Sequence, residues 1–411
     1  MSTPSATPSV NRSLTSSVYF PNLNGVRFIA CSLVLIHHIE QVKQSFHLTN
    51  GYDFHLIKNM GKLGVGLFFV LSGFLITYLL LTEKGRHRNI DIRSFYVRRA
   101  LRIWPLYYLI VGLSCFVFPT LPLFREASPD PYYFDADFFS RLGLFSVVLP
   151  NIAMIVYGSP YLCAQTWSIG VEEQFYLLWP WIIKRSHKVN DLLVTLAIFG
   201  AVLVGVLYGA AALVSQHLRP NIGSVKDVVV FFFGQFRILT MVIGGAGAYL
   251  IYYRKESVLR VMFRPIVQYA VYATLLLMLL TNVSVPGVNL EFYGLFFCFF
   301  IVNVAANPRS VVRLEQPVVN YLGKVSYGIY IYHTALVVLS VNLIHTYIGR
   351  DLSAPLFNVL LYGGSVGSTI LVAALSYQYL EKPFLRIKKR FEHQDGSVDT
   401  PATRSAVATL N

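Results

Sequence analysis

The fold class predicted by this sequence is an all-α polytopic membrane protein with about ten transmembrane helices and both termini in the cytoplasm. Three observations predict it. The 411 residues are 55% hydrophobic and only 13% charged, where a soluble chain carries about 25% charged residues. The apolar residues gather into separate runs, and the mean hydropathy is +0.55. The basic residues gather into short clusters between alternate runs, the signature of cytoplasmic loops.

The runs lie at 26–42, 64–81, 104–119, 170–183, 192–214, 228–253, 267–280, 292–306, 323–343 and 356–380. Most approach the ~17–25 residues that cross a hydrocarbon core. Residues 1–19 are rich in Ser, Thr and Pro and are expected to be a disordered tail. No cleavage pattern precedes Arg27, so the first run reads as a retained helix. Residues 20–385 then form the membrane domain and 386–411 a polar cytoplasmic tail. The run 142–157 is apolar too, but counting it as a span would reverse everything downstream. It reads as a re-entrant or interfacial piece of an external loop containing Pro150 and Pro160.

The formal net charge is +14. Positive-inside topology accounts for most of it, so nucleic acid is not an expected partner. With ten alternating spans, one side collects Lys84, Arg86, Arg88, Arg93, Arg98, Arg99 and Arg102, then Lys184, Arg185 and Lys188, then Arg254, Lys255, Arg260 and Arg264. Arg309 and Arg313 follow, and Arg386, Lys388, Lys389 and Arg390 close the set. The opposite side holds Asp130, Asp135 and Asp137 and shorter polar turns. Cys31, Cys115, Cys163 and Cys298 show neither metal-ligand spacing nor a disulfide framework, and read as packing residues.

The stretch 25–42 carries the sharpest signal. Arg27 and His38 are eleven residues apart, three helical turns plus about 20°, so they share one stripe. They are about 16 Å apart along the axis, half a hydrocarbon core. Such a pair is costly unless it faces protein or water. His37 lies on another face, so His38 is the candidate for chemistry. Gly64, Gly66, Ser72 and Gly73 in the second run suit close helix packing, chiefly against the first helix. Arg98, Arg99 and Arg102 precede Trp104 and Pro105. Arg99 and Arg102 are helix neighbours able to grip one anion, although basic residues at cytoplasmic helix ends are also routine anchors.

Glu172 and Glu173 lie near the external edge of the fourth run. Two adjacent carboxylates there can be merely solvated. An inward Glu173 can orient an imidazole or bind a hydroxylated substrate. Arg237 sits ten residues into the run 228–253. A central arginine costs about 2.5–3.5 kcal/mol to insert and usually faces a partner, cavity or ligand. His333 is a lone histidine among tyrosines, a pattern that also fits a hydrogen-bonded core residue. Glu381 closes the last run and is expected to pair with the basic tail. His47 and His55 read as solvated loop residues.

Several motifs in order resemble the integral-membrane acyltransferase-3 family: NGVRFIA with His38 eleven residues after Arg27, GVGLFFVLSGFLIT, FYVRRALRIWP, WSIGVEEQFYLLWP, the Arg237 helix with its glycines, SYGIYIYH and YLEKP. The similarity runs from about Phe20 to Phe384. It implies that His38 is the essential histidine and Arg27 its paired basic residue. It also implies that Arg99 and Arg102 are the arginine pair of the cytoplasmic side and that Glu173 is the glutamate of the fourth helix, counted with His38 and Arg27 as catalytic; Arg98, Arg99 and Arg102 together are expected to anchor the phosphates of the acyl donor. Arg237 and His333 match recurrent positions. The periplasmic hydrolase-like domain fused to some members is expected to be absent.

The function this implies is membrane O-acylation, most simply acetylation. The acyl group would move from cytoplasmic acyl-CoA, as co-substrate, to a hydroxyl of a glycan or related acceptor. No bound cofactor or metal is expected. The expected setting is the inner (plasma) membrane, the bilayer is the expected surround, and self-association into a homo-oligomer is left open. The rival from another class is a secondary transporter exporting a lipid-linked sugar or an organic anion, since intramembrane His and Arg suit that also. Transporter halves commonly repeat, and the motifs of the first half have no counterparts in the second.

Overall fold

A computed structural model describes residues 20, 22–125, 135–186, 205, 209, 237–285, 288–348 and 352–391. The tail expected at 1–19, Asp130, most of the run 192–214, the start of the run 228–253 and residues 392–411 lie outside the described residues. Among those described, all regular structure is helical.

The first helix, α1 (Leu23–Ser45), begins at Asn22, whose side chain replaces an ordinary cap with a long-range clamp. Asn22 Nδ2 donates to the Val304 carbonyl at 2.8 Å, and its Oδ1 accepts from the Leu314 amide at 2.7 Å. Helix α2 (His55–His87) has 33 residues, about 50 Å, so it overshoots the bilayer and ends in Lys84, Arg86 and His87. His55 is not a solvated loop residue: it opens α2 and its Nε2 lies 3.2 Å from the Leu279 carbonyl. Helix α3 (Ile92–Gly112) is capped by Asp91, whose carboxylate accepts from the Ser94 amide at 3.0 Å. It continues through a π-helical turn at Leu113–Val117.

The apolar run 142–157 resolves into two short helices, α4 (Phe138–Ser146) and α5 (Pro150–Tyr157), of 9 and 8 residues. Neither is long enough to span. They lean on α3 and on α6 (Trp167–Arg185): the Tyr107 hydroxyl donates to the Phe145 carbonyl at 2.9 Å, and the Asn151 and Gln174 amides bond each other reciprocally. The remaining helices are α7 (Ile238–Tyr252), α8 (Glu256–Met262), α9 (Pro265–Leu280), α10 (Asn289–Ala306), α11 (Pro317–Lys324), α12 (Ser326–Leu343), α13 (Ala354–Ser376) and α14 (Lys382–Lys388). A π-helical segment at Tyr377–Glu381 joins the last two. The tail expected to start at 386 therefore begins as helix.

Among the described residues, six helices are long and apolar enough to cross a membrane, or seven if α8 and α9, bent by 66°, form one span. Helix α6, with Glu172, Glu173 and Gln174, and the 15-residue α7 fall below that threshold. The chain is a multi-pass membrane protein. Its centre is α2, packed on α1 and α7, with α1 on α12 and α12 on α13. Small residues set these crossings. A Cβ on Gly64 would press on the Ala30 carbonyl of α1. Gly73 meets α7 instead of α1: a Cβ there would overlap the Met241 carbonyl, and one on Gly244 would overlap the Val70 carbonyl. All four cysteines are free thiols, three of them buried.

Candidate active site

Helices α1 and α12 bring His38 and His333 together. Their ring centroids are 4.7 Å apart, and His333 Nε2 lies 3.1 Å from His38 Nδ1. His38 Nδ1 also lies 2.8 Å from the Val34 carbonyl one turn back. His333 Nδ1 lies 2.6 Å from the Tyr330 carbonyl. His333 is only 1% exposed, whereas His38 is less completely covered. Behind His333 stand Thr334, whose hydroxyl lies 3.3 Å from His333 Nε2, and buried Gln165, which donates to the Ile331 carbonyl at 2.7 Å. His37 turns away, as its place on the helix predicts. Its Nδ1 lies 2.9 Å from the Ile57 carbonyl, and its ring is covered by Gly61.

A second polar cluster lies toward the start of α1. Arg27 Nη1 donates to Asn24 Oδ1 at 2.7 Å, away from His38. It stands within electrostatic reach of Arg102, Arg99, Tyr176 and Glu172. The Arg99 guanidinium lies against the rings of Phe95 and Tyr176, 5.6 and 5.8 Å from their centroids. Its Nε is buried without a partner. Arg27, Arg99 and Arg102 make no ion pair among the described residues. Arg98 is different. It donates to Glu83 Oε2 at 3.1 Å and to the Phe391 carbonyl at 2.8 Å, which ties α3 to α2 and to the chain beyond α14.

The two adjacent glutamates divide. Glu172 accepts from Ser72 Oγ at 3.1 Å and from the Tyr176 hydroxyl at 2.9 Å, and it faces Arg102 and Arg99. Glu173 accepts only from Trp104 Nε1, at 3.4 Å. Its Oε1 is buried without a partner, and it bonds neither histidine. Glu381 was expected to meet the basic tail. The π-helical segment instead turns it inward, 7% exposed, toward Arg102, with Oε1 unpartnered. Tyr327 stands within reach of Glu381, Glu173 and Glu172 and donates to the Ile103 carbonyl at 2.8 Å.

Arg237 joins neither cluster. It precedes α7 as its N-cap residue, and its Nη1 pairs with Glu291 Oε1 at 3.5 Å. Sequence reasoning also passed over Glu40. This carboxylate accepts from Lys43 Nζ at 2.8 and 3.1 Å, from the Tyr362 hydroxyl at 2.6 Å and from the Gly51 amide. The pair's side chains are 4% and 5% exposed. Two charges three residues apart near a helix end ordinarily read as solvated, and the one sequence signal is the apolar run they close.

A bundle that holds an imidazole pair and three guanidiniums without an ion pair among the described residues defines a multi-pass membrane protein with polar groups between its helices. The chain belongs to the acyltransferase-3 family, whose profile, described as an acyltransferase domain, matches residues 20–377. It is 27% identical over 393 residues to a Bacillus subtilis protein named "Putative peptidoglycan O-acetyltransferase YrhL", covering 89% of this chain and 55% of that one. It is 26% identical over 390 residues to the Staphylococcus aureus "Putative O-acetyltransferase SACOL0978", covering 89% and 57%. It is 24% identical over 393 residues to "Peptidoglycan O-acetyltransferase OatA" of Listeria monocytogenes, covering 90% and 56%. The chain thus spans a little over half the length of these relatives. No solved structure matches it.

Proposed function

We propose that this protein is an O-acetyltransferase of the plasma (inner) membrane, moving an acetyl group from cytoplasmic acyl-CoA to a hydroxyl of a surface or exported glycan. The names of its relatives support a glycan such as peptidoglycan as acceptor. About ten spans with both termini cytoplasmic complete the reading. The single observation that carries it is the division of α1: guanidiniums without ion pairs among the described residues gather around Arg27, and the imidazole of His38 sits about 16 Å further along the axis.

Each half suits one substrate. Guanidinium forks suit phosphates, and Arg27, Arg99 and Arg102 lack carboxylate ion pairs among the described residues. The unpartnered oxygens of Glu173 and Glu381 suit the amide and hydroxyl donors of the long thioester arm. Arg27 anchors the donor; its side chain cannot reach across about 16 Å to an oxyanion at His38. At the other end, His38 takes the proton of the attacking hydroxyl. The oxygen bonds the acyl carbon, the carbon–sulfur bond breaks, and the thiolate leaves and recovers the proton.

The test is purified protein in lipid discs given acetyl-CoA and glycan fragments. Free thiol should appear with wild type and not with His38→Ala, and mass spectrometry of surface glycans should lose one acetyl unit in cells carrying that variant. Full turnover by His38→Ala overturns the reading. Glycan or anion flux without thiol release would make the protein a transporter. Reporter fusions placing the N-terminus outside would overturn the topology.

A further inference from the structure

We propose that His333 is the positioning residue for His38: it shares the Nδ1 proton of His38 with the Val34 carbonyl and so helps hold that ring with its Nε2 lone pair bare and facing substrate. This deepens the acyl-transfer reading of the same site, but the proton arrangement does not depend on that reading.

The argument is one of donors and acceptors. A backbone carbonyl has no proton to give. The Tyr330 carbonyl, 2.6 Å from His333 Nδ1, therefore requires the proton of neutral His333 to sit on Nδ1, which leaves Nε2 as an acceptor. The Val34 carbonyl, 2.8 Å from His38 Nδ1, places the His38 proton on Nδ1 in the same way. The two rings then meet correctly: the one Nδ1–H of His38 is shared between the Val34 carbonyl and the bare Nε2 of His333 at 3.1 Å, a three-centre bond. Reversing either ring would set two lone pairs or two protons face to face. The Thr334 hydroxyl has one proton. Directed to Gln165 Oε1, at 3.5 Å, it leaves His333 Nε2 to His38.

Burial agrees with this division of labour. His333 is 1% exposed and sits behind; His38 is less completely covered and sits in front. No described side chain bonds His38 Nε2. When that nitrogen takes the hydroxyl proton, His38 becomes an imidazolium, and its bond to His333 becomes charge-assisted and shortens. His333 thus does for His38 what a carboxylate does in a Ser-His-Asp arrangement, without bringing a second charge into the bilayer.

Two substitutions separate this role from packing. His333→Gln keeps an acceptor oxygen near the place of Nε2, and His333→Leu keeps volume without one. His333→Leu should lower kcat by about 100-fold, with KM for donor and acceptor changed less than about threefold, and His333→Gln should stay within about tenfold of wild type. Equal losses in both variants would assign His333 to packing and overturn the proposal. A second readout needs no turnover. In 15N-histidine-labelled protein in lipid, with the His38 signals identified by their loss in His38→Ala, both rings should be protonated on Nδ1 and bare on Nε2. A wild-type His38 protonated on Nε2 would overturn the proposal even if acetyl transfer were demonstrated. That pattern, with Nε2-protonated His38 appearing in His333→Leu, would sustain it even if the substrates proved to be others; an unchanged His38 in that variant would leave the Val34 carbonyl as the sole holder of the proton and overturn it.

Discussion

Gly73 and Gly244 offer the most direct test of how the bundle holds its site. Each faces the backbone of the other's helix, Gly73 toward the Met241 carbonyl and Gly244 toward the Val70 carbonyl. Backbone cannot swing aside as a side chain can, so an alanine at either place must part α2 and α7 by roughly 1–2 Å. Overpacking of this kind costs about 1–3 kcal/mol. The shift also drags Ser72, the neighbour of Gly73, off the Glu172 carboxylate, a hydrogen bond to a charged group worth about 1.5–3 kcal/mol. Each single variant should therefore lose about 2.5–6 kcal/mol. One separation relieves both clashes, so Gly73→Ala with Gly244→Ala should cost about as much as the worse single variant and well under the sum. Denaturant unfolding in detergent micelles, followed by circular dichroism, measures all three. Either single variant within about 0.5 kcal/mol of wild type, or a strictly additive double variant, would refute the reasoning.

Other outcomes follow from the same contacts. Glu172→Gln should reduce acetyl transfer by at least about tenfold and more than Glu173→Gln does, because Glu172 holds Ser72 and Tyr176 and faces the arginines; steady-state kinetics compares them. Arg98→Gln should cost about 1 kcal/mol of stability and leave the donor KM unchanged, while Arg99→Gln and Arg102→Gln should raise that KM by at least about tenfold. Lys43→Met strands the buried Glu40 carboxylate and should cost about 3–5 kcal/mol in thermal unfolding, most of it regained by adding Glu40→Gln. Arg237→Met and Glu291→Gln should be non-additive in stability and near wild type in turnover, since the two residues pair only with groups outside both polar clusters.

The apolar helices among the described residues were legible because their signals are local. Apolar length announces a span, and eleven residues between Arg27 and His38 announce one face. What the sequence hid was contact between distant elements. His333 reads as a lone histidine because its partner is 295 residues away. Glu172 and Glu173 have the same chemistry and differ by 100° around one helix; the neighbours that separate them, Ser72 and Trp104, come from other helices. Glu381 looked like a partner for nearby lysines, and a π-helical segment turned it inward. Arg237 looked isolated in an apolar run because Glu291, its counter-ion, is 54 positions on. The glycines of the second run announced close packing, and Gly64 does meet α1 at Ala30, while the neighbour of Gly73, Met241, carried no mark of its own.

Helix α1 is fastened at both ends, by Asn22 below and by Glu40, Lys43, Tyr362 and Gly51 above. It therefore works as a fixed gauge. The height of the imidazole over the guanidiniums is set by a count of residues and does not adjust to the cargo. On the proposed acyl-transfer reading, whatever brings a group to be transferred must supply the reach itself, so a tether too short halts beneath the ring and one too long carries its load past. Selection by length along a rod, with little demand on shape, would let one bundle serve acceptors that share nothing but a hydroxyl.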